Sequence, residues 1–218
     1  MELLNSVDWY LTKINNAQAA LLETPPPADI DYLRFNHGVY IESIFSLIDY
    51  MNDTNNSISD GVKSKTGSDF FYFRTLRNAI VHRGFDLSMR GAVINGNTRV
   101  LTPDNVVYNG EPLPTPTEPV LLKATMHLDV VMRTVLIQRL EYLGALNVKE
   151  IDENVEFEKL CSFIESDKHL PLFVKEMFVQ NIEEIKKSLR FEEVNRDGIN
   201  KLYSKLSPVN TIIALSKI

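Results

Sequence analysis

The chain has 218 residues, 44% of them hydrophobic and 24% charged, a composition that excludes a disordered polypeptide and allows one large domain or one domain with an appendage. A formal charge of −6 argues against broad, non-specific attraction to nucleic acid, and the single cysteine, Cys161, rules out an intrachain disulfide. The opening MELLNSVDW lacks the basic region and apolar run of a secretory signal, and no window approaches the roughly 20 apolar residues that span a bilayer, so a cytoplasmic protein with no membrane association is expected.

In chain order, Leu4, Val7, Leu11, Ile14, Ala17 and Leu21 recur at spacings of three or four, the pattern of one apolar helical stripe, which Pro25, Pro26 and Pro27 then stop. A second stripe runs through Ile30, Leu33, Tyr40, Ile41, Ile44, Ile48 and Met51, with Ala28 and Asp29 opening it; the two read as an antiparallel helix pair. Residues 52–67, NDTNNSISDGVKSKTG, read as a polar loop without periodicity. A third helix is expected from Ser68 or Asp69, either of which is suited to capping, to about Gly84, a residue at ease in a left-handed closing turn. The texture then changes. Two Asn-Gly pairs, in AVINGNTRVL and VVYNGEPL, sit between short β-prone runs, so 92–113 reads as a small β-hairpin insertion. A long helix over about 118–143 follows, with Gly144 as its terminator, and 155–164 and 172–189 carry further helical periodicity. The fold class expected is therefore all-α: an up-and-down helical bundle of four to five main helices over 1–145, with the hairpin insertion, and a helical C-terminal extension over 146–218.

The third helix holds an unusual stretch, RTLRNAIVHRG. With each residue set about 100° beyond the last, Phe73, Leu76 and Ile80 share one arc and form the core face. Arg77 falls at the edge of that arc, where a guanidinium needs a partner or an opening to water. Asn78 and His82, four apart, stack on a different face with Phe71, Arg74 and Thr75. That face is too mixed for a core and too aromatic for plain surface, so a second chain is expected to cover it. Charge is uneven as well. Residues 70–100 hold Arg74, Arg77, Arg83, Arg90 and Arg99 against Asp86 alone, a local +4 that leaves −10 for the rest of the chain.

The run RNAIVH, Arg77 to His82, resembles the motif of the HEPN superfamily: an Arg, often followed by a polar residue such as Asn, then four to six residues and a His. The resemblance covers about 1–145, since that family is similar in being an up-and-down bundle of four or five helices with the motif toward the end of its third or fourth. It implies a metal-independent endoribonuclease site assembled where two protomers meet, with no cofactor. Arg77 would contact the scissile phosphate, His82 would transfer the proton, and Asn78 would orient the histidine or the RNA, while Arg74, Arg83, Arg90 and Arg99 would bind RNA along a groove. These side chains suit the chemistry, because attack by the 2′-hydroxyl of RNA needs a proton acceptor, a proton donor and a stabiliser of the charged phosphorane. The partners implied are a second copy, RNA, and an antitoxin or regulatory protein if the chain is a toxin or defence effector. Members adenylylated on a Tyr two residues after the His have a longer signature; here Gly84 stands at that place.

Other residues favour plainer readings. His37 lies four residues from both Leu33 and Ile41, which suggests a satisfied core histidine rather than a ligand. No His pair has metal-ligand spacing, and neither a P-loop nor a dinucleotide fingerprint is present. Cys161 sits among Leu160, Phe163 and Ile164, where burial explains it, and the acidic residues of 150–193 read as solvated helix faces. The alternative to the nuclease is a non-catalytic HEPN-like RNA-binding or dimerisation module, in which Arg77 and His82 only form interface hydrogen bonds.

Overall fold

The computed structural model describes residues 2–23, 29–85, 87, 91–94, 97–148, 150–216 and 218, and of residues 83, 94 and 97 the backbone alone. The chain divides into two compact units, 1–145 together with 203–218, and 146–202. The fold is all-α with small β-hairpins.

In the first unit, α1 (Glu2–Leu22) buries Val7, Leu11, Ile14, Ala17 and Leu21, the stripe visible in the sequence. Asp29 opens α2 (Ile30–Asp53) by accepting from the amides of Asp31 and Tyr32. The proline run before it lies outside the described residues. Tyr10 meets Tyr50, Lys13 pairs with Glu42, and Gln18 meets Tyr40, so α1 and α2 run antiparallel. The segment 52–67 differs from the expected loop: Ser59–Thr66 forms a helix, α3. Its apolar residue Val62 and Ile58 just before it are four apart and both buried, and Gly61 lets its backbone approach Val135 closely. A stripe of two side chains is too thin to show as periodicity, so packing rather than pattern makes this helix.

Gly67, at φ +57°, turns α3 directly into α4 (Ser68–Arg83), so neither Ser68 nor Asp69 caps α4 as expected. Gly84 ends it in the left-handed conformation, φ 62° and ψ 34°. Asp49 with Arg74 and Gly38 with Ile80 set α4 antiparallel to α2. The helix α5 (Leu121–Tyr142) runs parallel to α2, since Tyr40 meets Asp129 and Asn55 meets Arg139, and it ends at Gly144, again at positive φ. The main helices therefore alternate in direction.

Between α4 and α5 the insertion is two hairpins rather than one. β1 (Gly91–Ile94) pairs antiparallel with β2 (Asn97–Val100), and β3 (Val107–Tyr108) with β4 (Glu111–Pro112). Asn109 and Gly110 both take positive φ, as a two-residue turn of primed type requires; the other Asn-Gly pair lies outside the described residues. The Tyr72 hydroxyl donates to the Pro103 carbonyl at 2.6 Å, which ties the insertion to α4.

In the second unit, Asp152 caps α6 (Glu153–Ser166). The periodic stretch 172–189 breaks at Asn181 into α7 (Leu172–Gln180) and α8 (Ile182–Ser188). The Glu153 carboxylate accepts from the amides of Phe191 and Glu192 at the start of α9 (Phe191–Leu206), which continues into the first unit before α10 (Val209–Leu215). Among the described residues no helix is long and apolar enough to cross a membrane.

Candidate nucleic-acid interface

The helix α4 presents two faces, one buried against the bundle and one exposed. Phe70, Tyr72, Phe73 and Leu76 are buried against the bundle, whereas Phe71, Asn78, Val81 and His82 are exposed. Arg77 is half-buried between these faces. Its Nη1 donates to Asn78 Oδ1 at 3.1 Å, and its Nε is enclosed without a hydrogen-bond partner. Asn78 thus bears on the arginine. Arg77 and His82 are five residues apart on one helix, which places them about 7.5 Å apart along the axis and about 140° apart around it. Within one chain the two side chains diverge.

The surrounding arginines are in different states. The Arg74 Nη2 meets Asp49 Oδ1 at 2.9 Å, and its guanidinium lies over the Phe45 ring, so its charge is already matched. Both partners of that pair are about a third or more exposed, so it contributes under about 1 kcal/mol. Arg99, on β2, points its Nη1 at the Leu21 carbonyl, 3.5 Å away, and partial burial lowers its pKa. Arg90 and the Arg83 side chain lie outside what the structure describes.

His37 is buried, but it is not the satisfied core histidine the sequence suggested, because its Nδ1 has no partner. Burial, assisted by the nearby charge of Arg99, pushes its pKa down from 6.5 to about 3. His127 and His169 are exposed, and the Cys161 thiol is free and half-buried. Among the described residues no group of three or more His, Cys, Asp or Glu is placed to hold a metal ion.

One charged constellation escaped the sequence reading. Asp129 and Arg133 are an ordinary i,i+4 pair on α5, yet both are buried in the first unit. Arg133 Nε donates to Asp129 Oδ1 at 2.8 Å, its Nη2 to Asn15 Oδ1 at 2.7 Å, and its Nη1 to the Lys205 carbonyl. Asp129 Oδ2 accepts from the Tyr40 hydroxyl, which accepts from Gln18 Nε2 in turn. Burial and the adjacent carboxylate hold the Tyr40 pKa well above its usual value. A cavity of about 220 Å³ borders this network, with Asn15, Gln18, Arg133 and Thr211 in its wall. Because the carboxylate and guanidinium engage each other and their neighbours, the arrangement holds helices together rather than offering a reactive group.

The chain matches no protein-family model, no curated protein and no solved structure.

Proposed function

We propose that this protein is a metal-independent endoribonuclease of HEPN type, acting at a composite site across a homodimer, as a toxin or defence effector would. The observation that carries the reading is the divergence of Arg77 and His82 on an otherwise well-packed helix, with His82 exposed and an Arg77 nitrogen left without a partner. A second copy brought against this face would let the arginine of one protomer and the histidine of the other line a common cleft. In that cleft one histidine takes the proton from the 2′-hydroxyl as its oxygen bonds to phosphorus. The 5′-oxygen leaves with a proton from the other histidine, and the two-pronged Arg77 stabilises the phosphorane. The Arg77–Asn78 hydrogen bond supports a role for Asn78 in orienting the guanidinium.

The test is purified protein with EDTA on a panel of RNAs that includes transfer RNA. Arg77→Ala and His82→Ala should each lower cleavage by about 100-fold or more with the fold retained, and products should end in a 2′,3′-cyclic phosphate or its hydrolysis product. DNA should remain uncut. A monomer by light scattering at micromolar concentration would count against the composite site. Wild-type activity no greater than that of His82→Ala would leave the second reading, a non-catalytic HEPN-like RNA-binding or dimerisation module. The engagement of Arg74 by Asp49, which removes one cation from RNA, favours the dimerisation form of that second reading.

A further inference from the structure

The cavity of about 220 Å³ beside Arg133 lies between α1, α5 and the corner where α9 passes into α10, all within the first unit. Every described residue that borders it is polar. Asn15, Gln18 and Asn210 contribute amides, and Ser204, Ser207 and Thr211 contribute hydroxyls. The cavity runs inward from Ser204 and Asn210, which are exposed, to Gln18, Thr211 and Arg133, which are buried. Its floor is held in one arrangement. Gln18 Nε2 donates to the Tyr40 hydroxyl at 3.2 Å and to Thr211 Oγ1 at 3.1 Å, which uses both of its N–H groups and leaves Oε1 to accept. Asn15 Oδ1 accepts from Arg133 at 2.7 Å, which leaves Nδ2 to donate. The bonds of Arg133 take three of its five N–H groups, so each terminal nitrogen keeps one.

The two charged residues in the wall are both engaged elsewhere. Arg133 Nε is held by Asp129, and the Lys205 ammonium spends its three N–H groups on both oxygens of Asp8, at 2.7 and 2.8 Å, and on Thr12 Oγ1 at 2.9 Å. Neither Asp8 nor Asp129 borders the cavity. An anion entering it therefore meets no unmatched cation, a cation meets no carboxylate, and either would lose hydration without a countercharge. An apolar molecule would strand the amides and hydroxyls. What remains is a neutral ligand whose groups donate and accept as water does. At about 30 Å³ per water the space holds about seven waters. A polyol of about five carbons reproduces their hydrogen bonds with its own hydroxyls and releases several of them at once. We propose that this cavity is a binding site for a small neutral polyol or sugar of about that size. The proposal does not rest on the nuclease reading.

The test is titration of the full chain, followed by amide NMR shifts, with ribitol and D-ribose as the open and ring forms of a five-carbon probe. At least one should give saturable shifts confined to the helix turns around Asn15, Gln18 and Arg133 and to 204–211, with a dissociation constant of about 1 mM or below. Two probes of the same carbon number serve as controls, D-ribonate for charge and pentan-1-ol for apolar bulk. Each should bind about tenfold more weakly or worse. Asn210→Leu, at the exposed mouth, and Ser207→Leu, half-buried in the wall, should each weaken the polyol about tenfold or more, with the fold checked by far-ultraviolet circular dichroism. Shifts that do not saturate, or that spread over the whole surface, would overturn the proposal as a solvent effect. Tighter binding of ribonate would overturn it in favour of an anion site, and equal binding of pentanol would remove the role of the polar wall. Binding that both variants leave unchanged would place the ligand elsewhere. No saturable shift with either probe would mean that the cavity holds water alone.

Discussion

His37 shows how burial alone sets the chemistry of a residue. Its imidazole has lost water without gaining a partner at Nδ1, and Arg99 adds a repelling charge, so the neutral form is held down to about pH 3. In the unfolded chain the same group takes up a proton near pH 6.5. Between those values the unfolded state binds the extra proton, so this site's stabilising contribution, complete above pH 6.5, is lost as pH falls through the window. Urea unfolding at pH 7 and pH 5 should show the wild type losing about 2 kcal/mol more than His37→Leu over that interval. Equal losses would mean that His37 titrates normally in the fold. The burial was legible in the spacing from Leu33 and Ile41. The missing partner was not, because it depends on what lies across from α2.

At the scale of elements, α3 and α4 make the opposite lesson of each other. The long α4 has core residues every three or four positions and a glycine to end it, so the sequence discloses it before any packing is known. The eight-residue α3 is too short to hold alone and carries few apolar groups. Its place is secured by contact with α5, where a Cβ built on Gly61 would lie 2.7 Å from Val135 Cγ1. Gly61→Leu should therefore destabilise the protein by about 1–3 kcal/mol through overpacking, and Val135→Ala in the same chain should restore part of the loss. Thermal unfolding of the single and double variants checks this. A neutral Gly61→Leu would show that α3 does not press on α5.

For the whole molecule, the deciding feature is the polar network that joins distant parts of the chain. Arg133 reaches Asn15 and the Lys205 carbonyl, Gln18 reaches Thr211, and the Lys205 ammonium meets Asp8 at 2.7 Å, so polar contacts tie residues 203–218 to α1 and α5 alongside the fully buried Leu206. Asp129 is fully buried, and its charge is matched by Arg133. Arg133→Met should cost about 3–5 kcal/mol in guanidinium unfolding, because it strands a buried carboxylate. Arg133→Met with Asp129→Leu should cost less than the single change, since no charge is then left alone. A loss under about 1 kcal/mol in the single variant would mean that water reaches the pair.

What the sequence by itself determined is whatever a short window decides: the apolar stripes of α1 and α2, the extent of α5 up to Gly144, the opening of α2 at Asp29, the left-handed glycine at 84, and the Arg77, Asn78 and His82 pattern on one helix. Backbone geometry and side-chain periodicity fix these within a few turns of chain. Only the tertiary structure decided which polar groups are enclosed. Asp129 and Arg133 have the spacing of a solvated surface pair, Arg74 gives no sign in sequence that Asp49 will neutralise it, and LFVKEMFVQ does not disclose that four of its six apolar residues stay exposed. The physical reason is common to all three. Desolvation depends on neighbours that are far away in sequence and adjacent only after folding, so no local pattern encodes it.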